Sequence, residues 1–210
     1  MKVLLIDDHE IVRRGLKQLI EEGFPKAAFA EAITAAQAIE LLMHKKGWDL
    51  VIIDINLPGR SGLDLIGECR KWHPNAAVLV LSSYPEEEFA VRALKLGASG
   101  YLTKSSVSDE MLAAVRKVVA GGKYVSAALA EKLASALGNA ASHTPHEALS
   151  NREMEVLRLI ATGKTVKEIA ALLFLSEKTV GTYRTRISEK LKLSTNVELA
   201  RYAFQHRLVE

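Results

Sequence analysis

The sequence predicts an α/β domain, a five-stranded parallel sheet wound on both faces with helices, followed by a small all-α domain. Three observations carry this. Across the first 120 residues, five short apolar runs alternate with stretches of helical periodicity. After Gly121-Gly122 the strand pattern stops. The charge also changes: residues 1–120 hold 15 Lys and Arg against 16 Asp and Glu, a net of −1, whereas residues 145–210 hold 11 against 8, a net of +3 with no aspartate. A mildly acidic part ahead of a basic one points to two domains with separate jobs.

Residues 3–6, 27–32, 50–53, 77–81 and 100–102 read as strands. The first, third and fourth are almost wholly Val, Leu and Ile, as parallel strands covered on both faces require. Between them, Ile11, Val12, Leu16, Leu19 and Ile20 fall at helical spacing, with Gly23 as a stop. Residues 35–46, 62–72, 86–96 and 108–120 complete the set. Five βα units imply right-handed crossovers and a doubly wound, flavodoxin-like sheet. Residues 127–137 have a helical pattern, and 138–146, small, polar and Pro-containing, read as linker. From Leu149 onward every segment looks helical. Ser150…Glu153, Thr165…Glu168 and Thr195…Glu198 have capping-box spacing, Ser176 is a plain N-cap, and Gly163 closes the first of these helices. Only Phe174-Leu175 separate the second helix from Ser176, the tight junction of a helix-turn-helix. The division is 1–121, a partly helical linker 122–147, and 148–210.

Open parallel sheets place ligands at the carboxyl ends of their strands. Asp7 and Asp8 follow the first strand, Asp54 ends the third, Ser82 and Ser83 end the fourth, and Lys104 follows the fifth. Alone, an Asp-Asp pair is commonly an exposed turn and a lysine is usually solvated; placement at four strand ends together is far harder to reach by chance. Clustered carboxylates call for a hard divalent cation with oxygen ligands, above all Mg²⁺. Such a site suits phosphoryl transfer onto Asp54, with Lys104 offsetting charge and a serine hydroxyl bonding the product.

With IDDH at 6–9, DINLPGRSGLDL at 54–65, LSS at 81–83 and GYLTK at 100–104, residues 1–120 resemble the receiver domain of bacterial two-component response regulators. The resemblance implies that Asp54 accepts a phosphoryl group from a histidine kinase. It implies that Asp8, Asp54 and the backbone carbonyl of Asn56 hold Mg²⁺, with Asp7 helping through water. Ser82 and Lys104 would contact the phosphoryl group, and Tyr101 would be the switch aromatic that fills space vacated by Ser82. Tyr101 reads equally as a half-buried tyrosine at a strand end. Asn56 and Tyr84 flank the site. Where many receivers have Lys-Pro, this chain has Lys104-Ser105.

On the helix that starts at Ser176, Val180, Tyr183, Ile187 and Leu191 share one face, which packs inward. The opposite face presents Lys178, Thr182, Thr185 and Glu189, flanked by Gly181 and Arg186. A solvated polar face is the plain reading of any one of them. The stretch LSNREMEVLRLIATGKTVKEIAALLFLSEKTVGTYRTRISEKL, residues 149–191, closely resembles the LuxR-type helix-turn-helix, so that the whole chain has the NarL/FixJ layout. This implies sequence-specific binding to promoter DNA as a dimer formed on activation, with RNA polymerase a further partner. Lys178, Thr179, Gly181, Thr182, Arg184, Thr185 and Arg186 are the candidate DNA contacts, the cations toward phosphates and the threonines toward base edges or a thymine methyl. The last helix, from Thr195 to about His206, is a candidate dimer surface, although Val197, Leu199, Ala200, Ala203 and Phe204 could equally be core. Gly181 departs from the pattern: it cannot read a base through a side chain and costs up to about 1 kcal/mol of helix stability.

Two other protein classes share parts of this pattern. A phosphatase of the haloacid-dehalogenase type also uses a strand-end aspartyl phosphate, but resembles Asp-x-Asp where this chain has Asp54-Ile55-Asn56, and no cap segment is visible. A receiver that ignores phosphate would be expected to lack part of the acidic site, and none is missing. The expected protein is thus a transcription regulator that takes part in its own phosphoryl transfer and slow dephosphorylation rather than an enzyme. Early acidic residues, a lone Cys69 and the lack of a long apolar run point to a cytoplasmic chain with no membrane partner.

Overall fold

Strands that are apolar on both faces need cover on both faces, and the observed order supplies it. The computed structural model describes residues 1–83, 86–127, 129–131, 145–206 and 208–209. Tyr84, residues 132–137 of the expected helix and 138–144 of the expected linker lie outside them. Two compact units are formed, Met1–Asn139 and Ala140–Glu210. The first alternates β1 (Lys2–Ile6), α1 (Glu10–Gly23), β2 (Ala28–Ala32), α2 (Ala35–His44), β3 (Leu50–Asp54), α3 (Leu63–Trp72), β4 (Ala77–Ser82), α4 (Glu86–Lys95), β5 (Gly100–Thr103) and α5 (Val107–Val119). The sheet is parallel throughout, in the order β2-β1-β3-β4-β5. The three strands read as wholly apolar are its centre, and their side chains are buried on both faces.

Two details of α1 differ from the sequence reading. Leu16 and Ile20 enter the core, but Ile11 is exposed and Arg13 is buried in its place. The inward stripe runs through 13, 16 and 20, and at 100° per residue Ile11 stands nearly opposite Arg13. α1 does end at Gly23, though not through a left-handed turn; a Cβ there would lie 2.7 Å from Leu112 Cδ2, so this glycine also lets α1 and α5 approach. Cys69 packs as a small apolar residue, and burial pushes its thiol up to about 12.

After α5 the chain turns back along β5. Tyr124 N–H donates to Ser99 O (2.9 Å), and Tyr101 N–H donates to Tyr124 O (3.1 Å). The Tyr124 hydroxyl donates to Glu110 Oε2 (2.7 Å), and Ser126 N–H donates to Glu86 Oε1 (3.0 Å). This segment therefore covers the outer edge of β5.

The second unit contains a 3₁₀ turn (Pro145–Ala148), α6 (Asn151–Ala161), α7 (Val166–Leu173), α8 (Glu177–Leu191) and α9 (Asn196–Gln205). All three capping boxes form as the spacing predicts. Phe174, at φ 53°, makes the turn between α7 and α8. A buried Arg152–Glu155 ion pair joins α6 to the end of α7, since Arg152 also donates to Leu173 O at 3.0 Å. Lys190 of α8 donates to Glu153 Oε2 at 2.6 Å. Burial works against Glu153 ionisation, but Lys190 and the Ser150 cap outweigh it and hold the carboxyl below its usual value. A lowered folded-state pKa stabilises above the unfolded value and is lost as pH falls through the folded one. Wild-type stability should therefore fall relative to Glu153→Gln as pH drops below the ordinary 4.5, which parallel thermal melts of the two chains would read.

Candidate functional site

The register brings the acidic residues together. Asp54 pairs with Leu81 on β4, which places Ser82 one residue beyond it, and β1 delivers Asp7 and Asp8 on the other side of β3. Lys104 N–H donates to Ser82 O (2.7 Å), anchoring the turn after β5. From there Lys104 Nζ donates to Asp54 Oδ2 (2.7 Å) and Asp7 Oδ2 (2.8 Å). Asp54 is 1% exposed and Asp7 2%. Asn56 N–H donates to the other oxygen, Asp54 Oδ1, at 3.1 Å.

Burial, with Asp7 adding to it, raises the Asp54 carboxyl to about 6, although Lys104 pulls the other way. Burial by itself would depress the Lys104 ammonium, but Asp54 and Asp7 outweigh it and hold it above its ordinary value. One cation thus serves two buried carboxylates, and Asp8 stands apart from it. Among the described residues, Asp8 Oδ1 is buried and accepts no hydrogen bond, although His9 Nδ1 lies 2.9 Å away without hydrogen-bond geometry. Asn56 Oδ1 is likewise buried without a hydrogen-bond partner among the described residues. An anionic oxygen left unsatisfied beside two more carboxylates fits a hard divalent ion. Carboxylate oxygens of Asp7, Asp8 and Asp54 and a ring nitrogen of His9 lie within 4.8 Å of one another.

Ser82 and Tyr101 are both fully buried. The expectation of a half-buried tyrosine is therefore corrected: cover from the Tyr124 segment and α4 completes the enclosure of β5. Sequence reasoning missed three residues here. His9, in the IDDH stretch, brings its ring nitrogen Nδ1 to 3.2 Å from Asp7 Oδ1 and 2.9 Å from Asp8 Oδ1, a closeness that the sequence does not signal. Arg13, one helical turn further on, donates to Asp7 O (2.9 Å) and pairs with Glu31 (2.6 Å). Gly62 donates to Ile55 O (2.8 Å), and a Cβ there would meet Asp54 O at 1.8 Å.

On α8, Val180, Ile187 and Leu191 are buried and Tyr183 half-buried, as the periodicity predicts. Lys178, Thr182, Thr185, Arg186 and Glu189 are exposed. Thr179 is half-buried and caps α8 with Ser176, its hydroxyl 2.8 Å from Ser176 Oγ. Arg184 is drawn sideways, donating to Asn196 Oδ1 (2.6 Å) and Ser194 O (3.4 Å). Gly181 has ordinary helical backbone, and among the described residues nothing lies within 4 Å of where its Cβ would stand. The apolar residues of α9 divide: Leu199 and Ala203 are core, whereas Val197 (78%) and Phe204 (66%) are exposed.

Comparison with known proteins matches both units. The family "Response regulator receiver domain" matches residues 3–116, and "Bacterial regulatory proteins, luxR family" matches 147–203. The chain is 35% identical to the response regulator GacA of Pseudomonas aeruginosa, over 100% of this chain and 98% of that protein. It is 34% identical to the oxygen regulatory protein NreC of Staphylococcus epidermidis, over the whole of both. A structure of RcsB from Salmonella enterica serovar Typhimurium, bound to promoter rprA in the presence of phosphomimetic BeF3-, shares 26% identity and a TM-score of 0.59, covering 96% of this chain and 97% of that one. Among the described residues, no helix is long and apolar enough to cross a membrane. The chain belongs to the two-component response regulators of the NarL/FixJ type, DNA-binding transcription regulators that join a receiver domain to a LuxR-type helix-turn-helix.

Proposed function

We propose that Asp54 accepts a phosphoryl group from a histidine kinase and that this modification controls dimerisation and promoter binding through α8. The carrying observation is the shared lysine: Lys104 bridges Asp7 and Asp54 while a buried oxygen of Asp8 has no hydrogen bond among the described residues. In this reading Asp54 Oδ attacks phosphorus in line, a P–O bond forms, and the P–N bond to the kinase imidazole breaks. The Lys104 ammonium turns from the carboxylate to a phosphoryl oxygen, and the Ser82 hydroxyl donates to another. Mg²⁺, held by Asp8, Asp54 and the Asn56 carbonyl with Asp7 through water, would supply neutralisation of the charge gathered there. The modified side chain carries up to about two negative charges. Ser82 then shifts toward it and Tyr101 repacks into the space left; because Tyr101 is already enclosed, the signal is carried by repacking beneath the α4–β5 surface.

Acetyl phosphate tests the reading. The wild-type chain should incorporate acid-stable, hydroxylamine-labile phosphate when Mg²⁺ is present and none when it is chelated; no incorporation in either condition rejects it.

On DNA, the exposed Lys178 and Arg186 would meet phosphates, with Arg184 contributing the N–H groups that Asn196 leaves over. Thr179, Gly181, Thr182 and Thr185 line the rest of the face, and RNA polymerase is the expected partner at the promoter. Lys178→Ala should weaken binding to all sequences and lower the slope of log affinity against log salt by about one. Fluorescence anisotropy across a salt series reads this, and an unchanged slope removes Lys178 from the phosphate contacts.

A further inference from the structure

On the outward face of α8, Lys178, Gly181, Thr182 and Thr185 occupy positions i, i+3, i+4 and i+7, so that Gly181 and Thr182 lie one turn from both Lys178 and Thr185. Both threonines have spent their only donor inside the helix. The Thr182 hydroxyl donates to Lys178 O at 3.0 Å, and the Thr185 hydroxyl donates to Gly181 O at 3.2 Å. A hydroxyl has one proton, so each threonine keeps a γ-methyl and an acceptor lone pair to offer a ligand. Beside them Gly181 is bare, and the fold gives no reason for it: its φ is not positive, and a Cβ would stand in open space. A helix-interior glycine is a cost, so the missing side chain makes sense in terms of what approaches from outside. The result is a small methyl-bearing hollow on a helix face whose rim carries Lys178 and Arg186.

We propose that this hollow reads thymine: the γ-methyls of Thr182 and Thr185 pack against thymine C5-methyls in the major groove, and Gly181 lets the helix come close enough for them to touch. The inference rests on α8 being the DNA-contacting helix. It fits the chemistry of the groove, where the thymine methyl is the one apolar group among base edges, and a donor already committed to a carbonyl has little to give an acceptor such as guanine N7. A hydroxyl acting through its lone pair would instead choose the amino group of adenine or cytosine, and methyl removal tells the two apart.

The test begins with selection of bound double-stranded fragments by the full chain phosphorylated with acetyl phosphate and Mg²⁺, followed by replacement of each thymine in the selected site with deoxyuridine, which removes only the methyl. One or two thymines per half-site should show a loss of about 3- to 5-fold on replacement, the worth of about one buried methyl. Thr182→Val and Thr185→Val, which keep the methyl and drop the hydroxyl, should bind as the wild type does and retain the deoxyuridine penalty. Thr182→Ser and Thr185→Ser should bind the thymine site as weakly as the wild type binds the deoxyuridine site and no longer distinguish the two. Valine variants that lose binding, serine variants that keep it, or a selected site in which no thymine responds to replacement would each overturn the proposal. Lys178→Ala should lower binding to both sites together and leave the penalty intact. If the full chain selects no sequence at all, the placement of α8 on DNA fails instead, a result separate from any of these.

Discussion

An Asp54→Asn chain should take up no phosphoryl group from acetyl phosphate and should gain no DNA affinity when the donor is added, yet should be the more stable protein by about 2 kcal/mol at neutral pH without Mg²⁺. Loss of uptake follows because an amide cannot attack as an anionic oxygen. The gain in stability follows from the buried charge. Burial first, then Asp7, raise the carboxyl from the ordinary 3.8 to about 6 against Lys104, which amounts to about 3 kcal/mol between the protonated and ionised forms. Asparagine removes that penalty and gives back part of it through a weaker bond to Lys104. The sign sets the pH dependence. With the folded pKa above the ordinary 3.8, the contribution is fully present below 3.8 and is lost as pH rises through about 6. Urea titrations in chelator should therefore show the wild type closing the gap on the variant as the buffer is acidified toward pH 4. Undiminished uptake by the variant would remove Asp54 from its role.

The second large effect is at a position with no chemistry of its own. Gly62→Ala should cost about 3 kcal/mol and slow phosphoryl uptake at least about ten-fold in whatever folded protein remains. An added Cβ would lie 1.8 Å from Asp54 O, 2.8 Å from its carbonyl carbon and 3.0 Å from Ile53 Cγ2. The nearest atoms are backbone, so no side chain can swing aside; either the loop or the end of β3 has to move, and the end of β3 is where Asp54 sits. Gly67 provides the control. It lies within α3 with nothing within 4 Å of its Cβ position, so Gly67→Ala should leave uptake alone and add up to about 1 kcal/mol. Equal stability of the two variants in urea would show that the approach of Gly62 to Asp54 is not tight.

The sheet was legible because apolar runs of three to six residues between helical patterns leave few ways to fold, and with the strands placed, Asp7, Asp54 and Lys104 had to meet at one edge. Helix starts in the second unit were legible for the same local reason: a Ser or Thr three residues before a Glu satisfies its own backbone donors. What escaped depends on partners distant in sequence. Ile11 and Arg13 are both compatible with an amphipathic α1, and it is Glu31 on β2, together with the carbonyl of Asp7, that makes the arginine worth burying. Arg184 reads as a free cation on a basic helix until Asn196, on the next helix, claims it. Gly62 looked like the start of a helix, and its closeness to Asp54 depends on the path of the loop between them.

The return of the chain past β5 bears on how this protein should be cut and handled. Ser99 O and Tyr101 N–H, the main-chain groups on the rim of the last strand, are taken up by Tyr124. A fragment that stops at α5 would leave them bare, and a bare strand rim recruits whatever extended backbone comes near, including another copy. Self-association of such a truncated piece would report the missing cover and say nothing of assembly triggered by phosphate. Fragments intended for oligomer measurements should run past Ser126, whose amide is held by Glu86.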